Sequence, residues 1–243
     1  GLAVGASAVV AVTVLASLYR FYDSPAVFAY DPFFGFFPGA LYDERIALDA
    51  TLVSYRLGTL GWALAVAGLL SALWSPDEAR VTRSAWRSRG ASWALAGAGL
   101  ALALGVYAGG EALGHRHSAR DVATVLGGRA EGARCTVVYA RTIEPRDALR
   151  TRDDCALRLL QLEAFFGLPA GPPVTVFLFA NTEQKRQLMG AADTYIAKPW
   201  RHEVYLQRQA FPHPVLKHEL AHVVTAAMGA WPLYLSATAR LYP

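Results

Sequence analysis

Residues 215–225 read VLKHELAHVVT. Pro212 and Pro214 stand before this stretch, and Gly229 and Pro232 after it, so a helix is expected over about 215–228. Within it His218 and His222 are four apart, which sets them on one face about a turn from each other. Two imidazoles so placed can reach one metal ion, and their nitrogens suit zinc at about 2.0–2.1 Å. Glu219 follows the first histidine directly. Its carboxylate is too far round the helix to bind the ion, yet can take a proton from a metal-activated water and return it to a leaving amine. Val215, Leu216, Val223 and Val224 supply apolar flanks that would bury the sides of the helix.

Working outward, the preceding residues change period every few positions. CTVVYA at 135–140 and VTVFLF at 174–179 are β-branched and read as strands. EVYLQ at 203–207 alternates as a third. Between the first two, residues 153–166 place Leu157, Leu160, Phe165 and their neighbours at helical spacings, ending at Gly167. Asn181 caps a short helix before the third strand. The order is β-α-β-α-β-α, an α+β or α/β arrangement over residues 134–243. Residues 111–133 are expected to be a juxtamembrane linker, with His115 and His117 on a solvated patch.

This run of elements ending in HELAH resembles the gluzincin branch of the HExxH metallopeptidases, and especially membrane-linked peptidase MA-like proteins. The resemblance covers residues 135–230. It implies an α+β zincin-like domain, Zn²⁺ held by His218 and His222, Glu219 as general base, and a peptide or protein substrate. It also implies that the strand before the motif helix pairs with extended substrate. That assigns substrate binding to Glu203, Val204, Tyr205, Leu206 and Gln207, on the expectation that they form an exposed sheet edge with main-chain groups to offer. Gluzincins draw a third ligand from a downstream Glu, but no Asp, Glu or His follows His222. The chain is therefore expected to be the N-terminal part of a longer domain, inactive alone, with the third ligand past Pro243. His202, Glu203 and His213 are weaker upstream candidates.

Composition asks for a membrane. Of 243 residues, 54% are hydrophobic and only 17% charged, against about a quarter charged in ordinary soluble domains. Residues 1–19, 57–74 and 90–110 are uncharged runs near the length of a spanning helix, so residues 1–110 are expected to hold three transmembrane helices. Arg80, Arg83, Arg87 and Arg89 crowd the connection between the second and third runs, which the positive-inside rule places in the cytoplasm. Everything after Glu111 would then lie outside the cytoplasmic membrane, on the periplasmic side. The aromatic-rich loop 24–44 is expected to lie on lipid headgroups. Cys135 and Cys155 both fall in the outer part, where an oxidising compartment would permit a disulfide.

The net charge of +4 comes from scattered arginines rather than from a basic run with interleaved aromatics, which argues against nucleic acid as a partner. Two other functions remain open on sequence. One is an intramembrane metalloprotease of the site-2 type, against which the polar stretch before the motif speaks. The other is a membrane scaffold with a degenerate metal site.

Overall fold

The computed structural model describes residues 2–33, 35–37, 50–75, 80–81 and 90–230. The fold is mixed α/β, and these residues divide into two compact units, one ending at His117 and one beginning at Ser118.

The first unit holds three long helices, α1 (Leu2–Asp23), α2 (Ala50–Leu73) and α3 (Gly90–Ala108). A hairpin of β1 (Ala29–Asp31) and β2 (Gly35–Phe37) follows α1, and β3 (Trp74–Ser75) pairs with β4 (Arg80–Val81). Among the described residues two helices, α2 and α3, are long and apolar enough to cross a membrane. The expectation of three spans is corrected to two. α1 is helical over Leu2–Asp23 and carries Arg20 and Asp23 in its last turns. The Arg-rich connection on which the expected orientation rests lies outside the described residues, except for Arg80 and Val81 in β4.

α2 and α3 meet backbone to backbone. The buried positions of α2 are Gly58, Gly61, Ala65, Gly68 and Ala72, and those of α3 are Ala96, Gly99 and Ala103. A Cβ added at Gly99 would stand 2.5 Å from the Ala65 nitrogen, and one at Gly61 would stand 2.8 Å from the Gly99 carbonyl. Small residues are what such an approach demands, because dispersion between close backbones replaces the hydrophobic effect where both outer faces are apolar.

The aromatic loop is not spread outward as expected. Ala26, Phe28 and Tyr30 form a small core with Leu52 and Tyr55 packed against it. The reason is local: Phe28 and Tyr55 both stack around Tyr30, at 5.6 and 4.7 Å between ring centroids. The part of this loop from residue 38 onward lies outside the described residues.

The second unit is a five-stranded sheet in the order β5-β6-β7-β9-β8, with α4 (Ala119–Leu126), α5 (Pro145–Phe166), α6 (Thr182–Met189) and α7 (Leu216–Thr225). The central strands β6 (Cys135–Ala140), β7 (Val174–Phe179) and β9 (Glu203–Gln207) are parallel, as crossover helices α5 and α6 require. β5 (Gly127–Ala130) and β8 (Ile196–Lys198) close the two sides antiparallel. Cys135 at the start of β6 is disulfide-bonded to Cys155 in α5, with Cα atoms 6.1 Å apart, tying helix to sheet.

Two sequence readings change here. The supposed linker 111–133 contains α4 and β5, which belong to the sheet unit. A capping box starts α4, with Ser118 and Asp121 each bonding the other's backbone. Second, α5 begins at Pro145 rather than at 153, because proline fits the first helical turn.

Gly99→Ala is expected to destabilise the detergent-solubilised chain by about 1–3 kcal/mol through overpacking, read as a lower melting temperature by circular dichroism. Gly97→Ala, where an added Cβ meets nothing, is the control and should leave melting unchanged or slightly raised. Replacing Cys135 and Cys155 together with alanine should cost the sheet unit about 3 kcal/mol, the value for a loop near the 20-residue separation here, read by denaturant unfolding.

Candidate metal centre

α7 is positioned by its apolar side. Leu216, Leu220 and Val223 are buried, and the helix packs on α5 and β8. With that face fixed, the 3.6-residue period turns Lys217, His218 and His222 to solvent. Glu219 falls at the margin and is buried.

The two imidazoles converge. Nε2 of His218 and Nε2 of His222 are 3.2 Å apart, with the rings nearly perpendicular at 88°. Two nitrogens bound to one tetrahedral zinc at about 2.0–2.1 Å stand about 3.3–3.4 Å from each other. The observed separation is close to that spacing, and both histidines are exposed among the described residues. Burial, then the charge of His218, holds His222 below the usual imidazole range, which favours the neutral ring that a metal needs. Among the described residues no third His, Cys, Asp or Glu joins the pair.

Two of the three upstream candidates are engaged elsewhere. Glu203 accepts from the Arg201 Nε at 2.5 Å and from the Tyr205 hydroxyl. His213 is buried, and its Nε2–H donates to the Gln207 carbonyl at 3.0 Å. His202 sits in the left-handed region at φ 54°, ending the 3₁₀ turn Pro199–Arg201.

Burial pushes the Glu219 carboxyl above the usual range, against the opposing pull of His218 and Lys185. Lys185 was not singled out by the sequence. It is fully buried in the sheet unit, donating from Nζ to the Ala192 carbonyl at 3.2 Å, the Thr194 carbonyl at 2.5 Å and Gln207 Oε1 at 2.8 Å. Its ammonium lies 5.0 Å over the ring of Tyr195. Tyr195 bonds Gln209, and burial raises its phenol, with the charges of Asp193 and Glu219 adding to the effect. Lys185 and Tyr195 thus share one electrostatic neighbourhood with the motif glutamate. No spacing rule links positions 185, 195 and 219, so only the fold could bring them together.

The expected substrate strand needs correction. Glu203, Val204, Tyr205, Leu206 and Gln207 form β9, but β9 is not an edge and all five are buried. β8 pairs with it through Ile196, Ala197 and Lys198, opposite Tyr205, Val204 and Glu203. Among the described residues the outer strand next to β9 is therefore β8, three residues too short to show a strand period. On it, burial draws the Lys198 ammonium down to about 7.

Comparisons with models of protein families, with curated proteins and with solved structures find no match for this chain.

The raised carboxyl makes a test. A group whose folded pKa exceeds its unfolded one stabilises below the unfolded pKa and loses that contribution as pH rises through the folded value. Glu219→Gln removes this loss. The variant should melt higher than the parent at pH 7 in metal-free buffer, and the difference should shrink by pH 4.

Proposed function

We propose that this chain belongs to a membrane-anchored zinc peptidase that cleaves peptide bonds outside the cytoplasm. The observation that carries the reading is the 3.2 Å approach of the two Nε2 atoms, beside a buried glutamate one residue from the first. His218 and His222 would hold zinc. When bound, zinc supplies Lewis acidity, polarising a carbonyl and making a water molecule easier to deprotonate. The Glu219 carboxylate would take a proton from the attacking water as the water oxygen bonds the carbonyl carbon, then pass that proton to the amide nitrogen as the C–N bond breaks. Its raised pKa makes it a stronger base than a solvated carboxylate.

An extended peptide would add to the outer edge of β8, beside α7, through main-chain hydrogen bonds. The Cys135–Cys155 disulfide supports an oxidising compartment for this domain. α2 and α3 support attachment to a bilayer. An intramembrane protease is less well supported, since α7 spans ten residues and packs within a sheet domain. A zincin-like fold remains part of the proposal.

A second reading rests on the two-ligand set seen among the described residues: a membrane-bound metal-binding module without hydrolysis. The same experiment separates the two. Purified at full length in mild detergent and offered zinc, the protein should take up about one ion by elemental analysis, and His218→Ala or His222→Ala should lose it. Glu219→Gln should retain the ion while kcat/KM on an unstructured peptide falls about 10²–10⁴-fold. Zinc uptake without any cleavage by the parent favours the binding module. No uptake at all removes both.

A further inference from the structure

The helical unit contains a second place built for a ligand, independent of the zinc proposal. A cavity of about 260 Å³ opens between the last turns of α1, the first half of α2 and the end of α3. Ala16, Gly58, Trp62, Ala103 and Val106 give it an apolar part of its lining. Arg20 and Arg116 line it as well. The guanidinium of Arg20 lies 6.0 Å from the centroid of Tyr107, and that of Arg116 lies 4.8 Å from the same ring. One aromatic ring therefore gathers two positive charges to the same wall.

Among the described residues no acidic side chain lines the cavity. Asp31 is close by in the chain but buried, accepting from the Phe33 amide at 2.8 Å and facing the Ser17 hydroxyl at 3.4 Å. Glu111 stands 3.8 Å from Arg116 Nε, beyond hydrogen-bond reach and largely in solvent. Arg56 does not line the cavity and donates to the Pro32 carbonyl. His115 does line it, with Nε2–H directed between the Thr51 carbonyl at 3.2 Å and the Ser54 hydroxyl at 2.8 Å. The sequence reading of His115 as a solvated residue is thereby corrected.

One observation points directly to an occupant. Arg116 Nε is buried and has no hydrogen-bond partner among the described residues. A buried N–H of a charged group is costly to leave without an acceptor. Two guanidiniums lining one cavity suit an anion that can accept several bonds at once, and a phosphate does this better than a single carboxylate. The apolar part of the lining calls for something more than a free ion. The location completes the case, because the cavity sits at the ends of the two membrane-length helices, where headgroups meet protein.

We propose that this cavity binds an anionic phospholipid, its phosphate held by Arg20 and Arg116 and the start of an acyl chain lying against Trp62 and Val106. The test uses the whole chain in maltoside micelles, titrated with dioleoyl phosphatidylglycerol and followed by native mass spectrometry. Saturable binding of one lipid is expected, with affinity falling about tenfold or more in the Arg20→Gln/Arg116→Gln variant. Arg129→Gln/Arg150→Gln, the same two-charge change in the sheet unit, should leave it within about twofold. Arg116→Lys keeps the charge and should bind more tightly than Arg116→Gln. Two arms on the parent chain hold even where a variant folds poorly. Dioleoyl phosphatidylcholine at equal affinity would overturn the anionic selection. Sodium phosphate that competes the lipid away at micromolar concentration would overturn the lipid and leave a soluble phosphate as the ligand.

Discussion

The buried face of α7 governs the centre. Leu216, Leu220 and Val223 press into the sheet unit, and their burial fixes the rotation of the helix about its own axis. Once that rotation is set, the direction of every other side chain follows from helical geometry. His218 and His222 are turned outward and together, and Glu219 is drawn into the apolar margin. A rotation of one residue would bury a histidine and expose the glutamate. The cost of burying an unpaired imidazole or of uncovering three aliphatic side chains resists that slip.

Electrostatics then follow from burial rather than from the motif alone. Glu219 has little water to stabilise its charge, and its compensation comes from His218 beside it and from Lys185 within the sheet unit. Lys185 is itself affordable only because three oxygens surround its ammonium. Gln207 is the hinge of this arrangement: its side-chain oxygen accepts a hydrogen bond from Lys185 and its carbonyl accepts one from His213. The last residue of β9 therefore serves to hold the groups behind the motif helix, a different role from pairing with a substrate.

Much of this was legible in the sequence where one residue type dominates an element. CTVVYA, VTVFLF and EVYLQ are strands with the bounds their β-branched and aromatic content indicates, and HELAH lies on a helix that proline introduces. The failures share a cause. β5 reads GGRA and β8 reads IAK, segments too short and mixed for any period, so the sheet edges were invisible and β9 was mistaken for one. The capping pair Ser118 and Asp121 is a local signal, and it marks where the sheet unit starts. Lys185, Tyr195 and the two arginines on Tyr107 come together only through tertiary packing, which no local pattern encodes.

The seam between α2 and α3 has a consequence for how such chains can diverge. Its contact is made by main-chain atoms through Gly61, Gly68 and Gly99, so the identity of the bulky side chains elsewhere on the two helices is nearly irrelevant to it. Leu60, Val66, Leu70 and Leu104, all exposed on the unit, could be exchanged for other aliphatics at little cost. Distant descendants of this chain would then look unrelated along both helices, apart from a sparse spacing of the smallest residues. A search by overall similarity would pass over them, while one keyed to that spacing would not.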